Sequence, residues 1–300
     1  GSDRRSSGTH YTPSSLTEPI VRHTLEPLVY VGPVEGKPES EWVLKSPKEL
    51  LDLRVCDLAM GSAAFLVQTC RYLSVRLVEA WETIERANPE AFLKTPDGEL
   101  STGDPSERLL PADSEERLAI ARRIVADRCL YGVDINPMAV EMAKLSLWLV
   151  TLHKDRPFTF LDHALKCGDS LLGVTSVKQI ENFSLKPGGQ QMTFATANLF
   201  RYVEDAAAKR RALESLASND HTQIEAKIRL HAEAEAATAK VKALADCLIA
   251  FELRGVGDRQ YEEQRAEVAD QAEVAMRKPL AVFQAYAGDQ LRGRRPFHWP

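Results

Sequence analysis

The sequence predicts an α/β fold built on a mainly parallel sheet, followed by a helical segment of different composition. Two observations carry this expectation. Short apolar stretches at 53–56, 130–133 and 164–168 alternate with stretches of helical periodicity, and they end on a glycine turn at Asp57–Ala63, on Asp134 and on Asp169. Strand, glycine turn, helix, strand, acid, helix, strand, acid is a βαβ progression, which favours parallel pairing.

Composition narrows the function classes. The 300 residues are 44% hydrophobic, enough for a large domain with an accessory segment, which excludes collagen-like, knottin-like and wholly disordered chains. Acids number 43 against 38 bases, for a net charge of -5, so the overall balance does not draw the chain onto nucleic acid or an anionic membrane. A nucleic-acid partner has to be argued from a site. Five cysteines (Cys56, Cys70, Cys129, Cys167, Cys247) contain no CxxC pair, which fits reduced thiols, a cytoplasmic location and no metal. The apolar run at 145–152 is less than half of the roughly 20 residues a bilayer demands, so no membrane partner is expected. His153 and His163 lack metal-ligand spacing and are read as core or surface residues.

The elements are taken in chain order. Residues 1–8, opening on Gly1-Ser2, are read as a tag remnant and a disordered tail. A helix should start at Thr12-Pro13, with Leu16, Ile20, Val21, Leu25 and Leu28 as its apolar face, and 31–47 should be a loop. The first buried strand uses Leu53, Val55 and Cys56; a helix over 63–80 comes after the glycine turn, and the proline-rich stretch 88–113 is an exposed connection. A short helix over 114–126 leads to the strand ending at Asp134. Asn136 then caps, and Pro137 begins, an apolar helix running to residue 152 that other protein must cover.

Between 205 and 250, 14 of 46 residues are alanine, a composition that favours helix. A stripe of Leu213, Leu216, Ile224, Ile228, Val241, Leu244, Leu248 and Phe251, a break at Arg254–Asp258 and a returning helix through Tyr261 and Met276 predict an antiparallel hairpin, with a coiled-coil dimer using the same spacing. The expected organisation is an N-terminal helix and loop at 9–50, a core at 51–173, a connecting segment at 174–204, the hairpin at 205–287 and a final approach segment at 288–300. The hairpin is expected to stand apart from ligand binding.

The glycine turn gives a ligand access to backbone and to the N-terminal N–H groups of the next helix. Asp134, at a strand end, can accept hydrogen bonds from two ribose hydroxyls, and Asp169 can accept from an exocyclic amine. Each acid also has a plainer use as a helix cap. Ser62, with no hydrolase partners around it, is read as capping the glycine-turn helix. Arg292, Arg294 and Arg295 could touch phosphate or simply form a solvated face.

Together these residues resemble the large adenine-specific (N6) DNA methyltransferases of the type II restriction-modification and phage-defence family. His10-Tyr11-Thr12-Pro13 is similar to the family's N-terminal motif. Asp57 to Ala63, continuing into Ala64-Phe65-Leu66, is similar to its Asp-Pro-x-x-Gly-Ser-Gly turn. Tyr131-Gly132-Val133-Asp134-Ile135-Asn136-Pro137, together with Ala139 to Lys144, is the most specific match, and Cys167-Gly168-Asp169-Ser170-Leu171-Leu172-Gly173 is the last. The resemblance covers residues 9–173, and the helical residues beyond 173 look like a variable insertion.

The resemblance implies a Rossmann-like methyltransferase core that binds S-adenosyl-L-methionine. Tyr11 and Thr12 would border the cofactor, Asp57, Gly61 and Ser62 would hold its amino-acid end, Asp134 its ribose and Asp169 its adenine. Leu58 and Ala63 depart from the family's proline and glycine, and Ala63 is either harmless or crowds the methionine carboxylate. The family's Asn/Asp-Pro-Pro-aromatic loop does not occur in the sequence. Hence no catalytic residue is assigned, the sheet is expected to be incomplete, and the chain is read as an inactive cofactor-binding fragment. DNA is then a partner through the longer parent, with self-association through helices or an exposed sheet edge. Methylation of RNA or of a protein amide, and a non-catalytic scaffold, are the competing readings.

Overall fold

A computed structural model describes residues 12–89, 91–104, 107, 109–151, 161–186, 196–215 and 221–299. The chain divides into two compact units, 1–166 and 167–300.

The first unit opens with helix α1, Ser14–Val29, whose N-cap is Pro13 with no side-chain cap, so Thr12 does not play that part. The buried row is Thr17, Val21, Leu25 and Val29, while Leu16, Ile20 and Leu28 are exposed. The buried face is therefore rotated from the expected one. Thr17 can occupy the inner row because its hydroxyl bonds back to the Ser14 carbonyl at 3.4 Å, which lowers the cost of burying it. In place of the expected loop there is a small hairpin of β1 (Tyr30–Val31) and β2 (Val43–Leu44), held by a tilted contact between the Tyr30 and Trp42 rings. Helix α2, Pro47–Leu51, begins with a reciprocal Ser46–Glu49 capping box.

The strands β3 (Val55–Asp57), β4 (Leu130–Asp134) and β5 (Leu165–Cys167) form a sheet in the order β3-β4-β5, with β3 and β4 parallel and Asp57 opposite Gly132. This is a mixed α/β architecture with a small parallel sheet and no closed barrel, compatible with a Rossmann-like core. Helix α3, Ala64–Ala87, buries Leu66, Cys70, Leu73, Leu77 and Trp81 on one face. Helix α4, Ser114–Arg128, adds Ala121 and Val125 to the same core. The long connection between them is tied down by Trp81, which donates to the Pro96 carbonyl at 2.7 Å, and by Arg117, which donates to the Pro111 carbonyl at 2.6 Å, while a bidentate Arg117–Glu85 pair at 2.6 Å joins the two helices.

Helix α5, Pro137–Val150, starts as the sequence predicts: Asn136 accepts from the Met138 N–H at 3.0 Å, and Pro137 sits where its missing donor costs nothing. Only Ala139, Val140, Ala143 and Leu147 are buried, however, and Met138, Met142, Leu145 and Leu149 face outward. The expected cover by other protein is present on that one face only among the described residues.

The second unit holds α6 (Val177–Glu181), α7 (Thr196–Ser215), α8 (His221–Glu252), α9 (Asp258–Met276) and α10 (Leu280–Leu291). Leu244, Leu248 and Phe251 of α8 form a core with Ala269 and Ala272 of α9, Phe283 and Leu291 of α10, and Val174, Ile180 and Phe183 from the preceding segment. The break expected after residue 253 is present, and α10 comes after the returning helix. Ile228, from the expected stripe, is exposed; the side chains of Leu213, Leu216 and Ile224 lie outside the described residues, as does His153. The C-terminal segment pairs in parallel with the stretch after β5: Asp169 bridges Pro296, Phe297 donates to the Leu172 carbonyl at 2.8 Å, and Trp299 to the Val174 carbonyl at 3.0 Å.

The orientation of α5 gives a sharp contrast. Leu147→Ala should destabilise the chain by about 2–5 kcal/mol in urea unfolding, the usual cost of emptying a buried leucine site. Leu149→Ala, two residues away on the outward face, should stay within about 0.5 kcal/mol.

Candidate functional site

The glycine turn between β3 and α3 is built around one carboxylate from a distant part of the sequence. Asp134 accepts the Gly61 N–H on Oδ2 at 2.9 Å and the Asn136 N–H on Oδ1 at 2.8 Å. The Met60 N–H also reaches the Val133 carbonyl at 3.1 Å, so the turn is laced to the end of β4. This close approach explains Gly132. A Cβ there would collide with the Met60 sulfur and press on Leu66 and Leu165. Sequence reasoning missed both the clamp and the role of Gly132; the signal was a glycine one residue before the last apolar position of a buried strand.

Gly61 has φ +56°, and a Cβ at that position would meet nothing within 4 Å, so its outer side is open. Ala63 takes the left-handed conformation, φ 68°, as the residue before α3, and that helix has no side-chain cap. Ser62 is therefore not the expected cap. The Ala63 methyl is fully buried in the core beneath the turn, so it does not crowd the open side of the turn. Placing alanine at positive φ costs on the order of 1 kcal/mol, and the burial of its methyl offsets a similar amount.

Asp57, at the end of β3, accepts the Ala59 N–H on Oδ1 at 3.0 Å. Burial, and to a lesser degree the neighbouring Asp134 carboxylate, push its carboxyl above the ordinary range, while the bond from Ala59 opposes them. Two acids thus stand at adjacent strand ends, close enough for the charge of one to act on the other. Thr12 is half-buried just before α1, and Tyr11 lies outside the described residues.

Asp169 belongs to the second unit. Its Oδ1 accepts the Leu171 N–H at 3.0 Å, its N–H goes to the Arg295 carbonyl at 2.7 Å, and its own carbonyl accepts from Phe297. The plainer reading, an acid that caps its own turn, is in use here, and its other carboxylate oxygen carries no bond among the described residues. The segment is held by helices rather than set apart from them: His298, next to Phe297, bonds Asp246 of α8 through Nε2 at 3.0 Å and accepts the Val174 N–H on Nδ1 at 3.3 Å. Gly173 is required there, because a Cβ would collide with the Phe297 carbonyl. No cluster of metal-ligating side chains occurs among the described residues, and no helix among them is long and apolar enough to cross a membrane.

Comparison with known proteins bears on this geometry. Residues 128–241 match the Eco57I restriction-modification methylase family. The matched span contains β4, Asp134, α5 and Asp169, and it extends into α8, beyond the limit of residue 173 drawn from motifs. The chain is also 25% identical over 199 residues to a Methanocaldococcus jannaschii protein described as a type II restriction enzyme and methyltransferase. That alignment covers 55% of this chain and 14% of the relative. No solved structure matches. The two matches support a restriction-modification methyltransferase, a class whose reaction requires a methyl donor.

Two stability measurements test this site without ligand. Asp134→Asn turns an NH2 toward either the Gly61 or the Asn136 donor, and should cost about 1–3 kcal/mol with faster exchange of the Gly61 amide. Asp57→Asn should act in the opposite direction. The Asp57 carboxyl has its folded pKa raised above the ordinary 3.8, so its contribution is most favourable below that value and is lost as pH rises through the folded pKa. The variant should therefore be more stable than the parent at pH 7 by chemical denaturation, with the difference shrinking as pH falls toward the ordinary carboxylate range.

Proposed function

We propose that the glycine turn binds S-adenosyl-L-methionine and that the protein is a DNA adenine-N6 methyltransferase working in restriction-modification or phage defence. The observation that carries this reading is the Asp134 clamp, which brings the ends of two parallel strands together around an open backbone face. Ligands in open parallel sheets bind beyond the carboxyl ends of the strands, and this is such a place.

The residues fit the proposed cofactor. Each oxygen of Asp134 spends one acceptor site on a backbone N–H, which leaves capacity for both hydroxyls of a ribose. The acid pair Asp57 and Asp134 favours a cationic ligand, and the cofactor carries an ammonium and a sulfonium. Its Gly61 side is open, and the buried methyl of Ala63 supports a binding-competent turn over a non-catalytic scaffold. Tyr11 and Thr12 would border the ligand, Ser62 would lie beside its amino-acid end, and Asp169 would accept from its adenine amine.

When bound, the cofactor supplies a methyl group on sulfonium, open to in-line displacement by an adenine amino nitrogen that base flipping makes accessible. This chain's residues bind and orient the donor. The groups that would orient the target amine are assigned to an Asn/Asp-Pro-Pro-aromatic loop, so the chain by itself is expected to bind donor without transferring methyl.

Calorimetry with S-adenosylmethionine and S-adenosylhomocysteine tests the reading directly. Both should bind, and Asp134→Ala should cost roughly 2–4 kcal/mol of S-adenosylhomocysteine affinity in a folded protein. Unchanged affinity would overturn the assignment. Affinity should also fall as pH drops through the raised Asp57 value, more steeply for the sulfonium compound, and Asp57→Asn should flatten that profile. Methyl transfer to duplex DNA, and not to RNA or protein, by a protein that combines this chain with such an Asn/Asp-Pro-Pro-aromatic loop tests the substrate.

A further inference from the structure

Helix α10 ends in a basic turn that the cofactor site does not use. Arg292 closes the helix in the left-handed conformation, φ 52° and ψ 45°, and Gly293 comes next at φ 83°. The Arg294 N–H closes the turn on the Leu291 carbonyl at 3.2 Å, and Arg295 begins the segment that pairs with Asp169. Arg292, Arg294 and Arg295 are all exposed, and no carboxylate pairs with any of them among the described residues. Arg254, also exposed, reaches the same helix end, bonding the neutral amide of Gln290 at 2.6 Å. Elsewhere in this unit Arg265 and Arg277 are each matched by a glutamate within one helical turn.

A cation at a helix C-terminus complements the macrodipole, but that effect fades within the last turn. It accounts for Arg292 and not for Arg294 and Arg295 beyond it. The chain's net charge is -5, so four guanidiniums at one helix end are a local feature and not a sample of the average. A Cβ at Gly293 would meet nothing within 4 Å, which leaves the backbone between the arginines open to close approach. Guanidinium forks match phosphate oxygens two at a time, and duplex DNA presents about one phosphate charge per 1.7 Å of axis.

We infer that Arg254, Arg292, Arg294 and Arg295 form a docking surface for the phosphate backbone of duplex DNA. This rests on the DNA methyltransferase reading and locates one part of its nucleic-acid contact. The contact is sequence-independent, since the residues meet phosphates and not base edges. It positions the duplex beside the Asp169 segment.

Fluorescence anisotropy of a labelled 25-base-pair duplex, titrated with the chain over a series of KCl concentrations, tests the inference. Parent protein should bind with a log–log salt slope of about -3.6, and the Arg292→Gln/Arg294→Gln/Arg295→Gln variant should bind at least tenfold more weakly, its slope shallower by roughly 0.9 per arginine removed. Arg294→Glu/Arg295→Glu, which leaves the left-handed residue untouched, should weaken binding further per residue. Circular dichroism and S-adenosylhomocysteine calorimetry on each variant should match the parent. Equal binding by parent and variants, or tighter binding of duplex RNA than of duplex DNA, would overturn the inference. Cofactor binding with no arginine-dependent DNA binding defeats this inference alone, whereas arginine-dependent DNA binding without cofactor binding defeats the methyltransferase reading and leaves the surface standing.

Discussion

The Asp134 carboxylate receives the Gly61 N–H on one oxygen and the Asn136 N–H on the other, and the rest of the first unit is arranged around that constraint. For Gly61 to arrive, Met60 must lie against β4, and this requires a strand residue without a side chain, Gly132. For α5 to leave in the right direction, Asn136 must turn the chain immediately after the acid and cap the helix at Met138. The turn in front of α3 has no side-chain cap, and Ala63 closes it in a left-handed conformation with its methyl in the core. Each local irregularity results from bringing one acid to one glycine across 73 positions of sequence.

That arrangement opposes stability in one respect. Asp57 stands at the neighbouring strand end, and burial together with the field of Asp134 disfavours its ionised form. A domain shaped for stability alone would replace one of the pair. A pair of acids at adjacent strand ends is compatible with the cationic ligand proposed above, whose charge would offset their repulsion.

The β4–α5 unit was legible in the sequence because its signals are local: an apolar strand, a terminal acid, an asparagine cap and a proline at the first helical position. The hairpin at β1 and β2 was not, since two-residue strands carry no readable period and are fixed by the Tyr30–Trp42 ring contact. The rotated face of α1 was missed for a related reason. Hydropathy favours Leu16 and Ile20 for the interior, yet Thr17 is buried in line with Val21, Leu25 and Val29 after meeting its own hydroxyl requirement. At the site, the acids and glycines were readable as residue types, whereas the bond between Asp134 and Gly61 is a tertiary fact. Ser62 failed as a cap because the conformation of its neighbour, not its own chemistry, determines where the helix begins.

The helical residues after 173 are the place where composition misled. Alanine-rich sequence with a clear break reads as an arm independent of the βαβ pattern before it. In the second unit, however, Leu244, Leu248 and Phe251 share a core with Val174, Ile180 and Phe183, and Asp246 holds His298 beside the segment that pairs with Asp169. Removing the helices would take away the wall against which the Asp169 turn is built. The family match also runs past residue 173, through residue 241 and into the start of α8. A segment that looks like an insertion by composition is, by packing, part of the support for a candidate adenine contact. Its amino-acid usage records only that it is helical, whereas the glycine at 173 and the histidine at 298 record what it is pressed against.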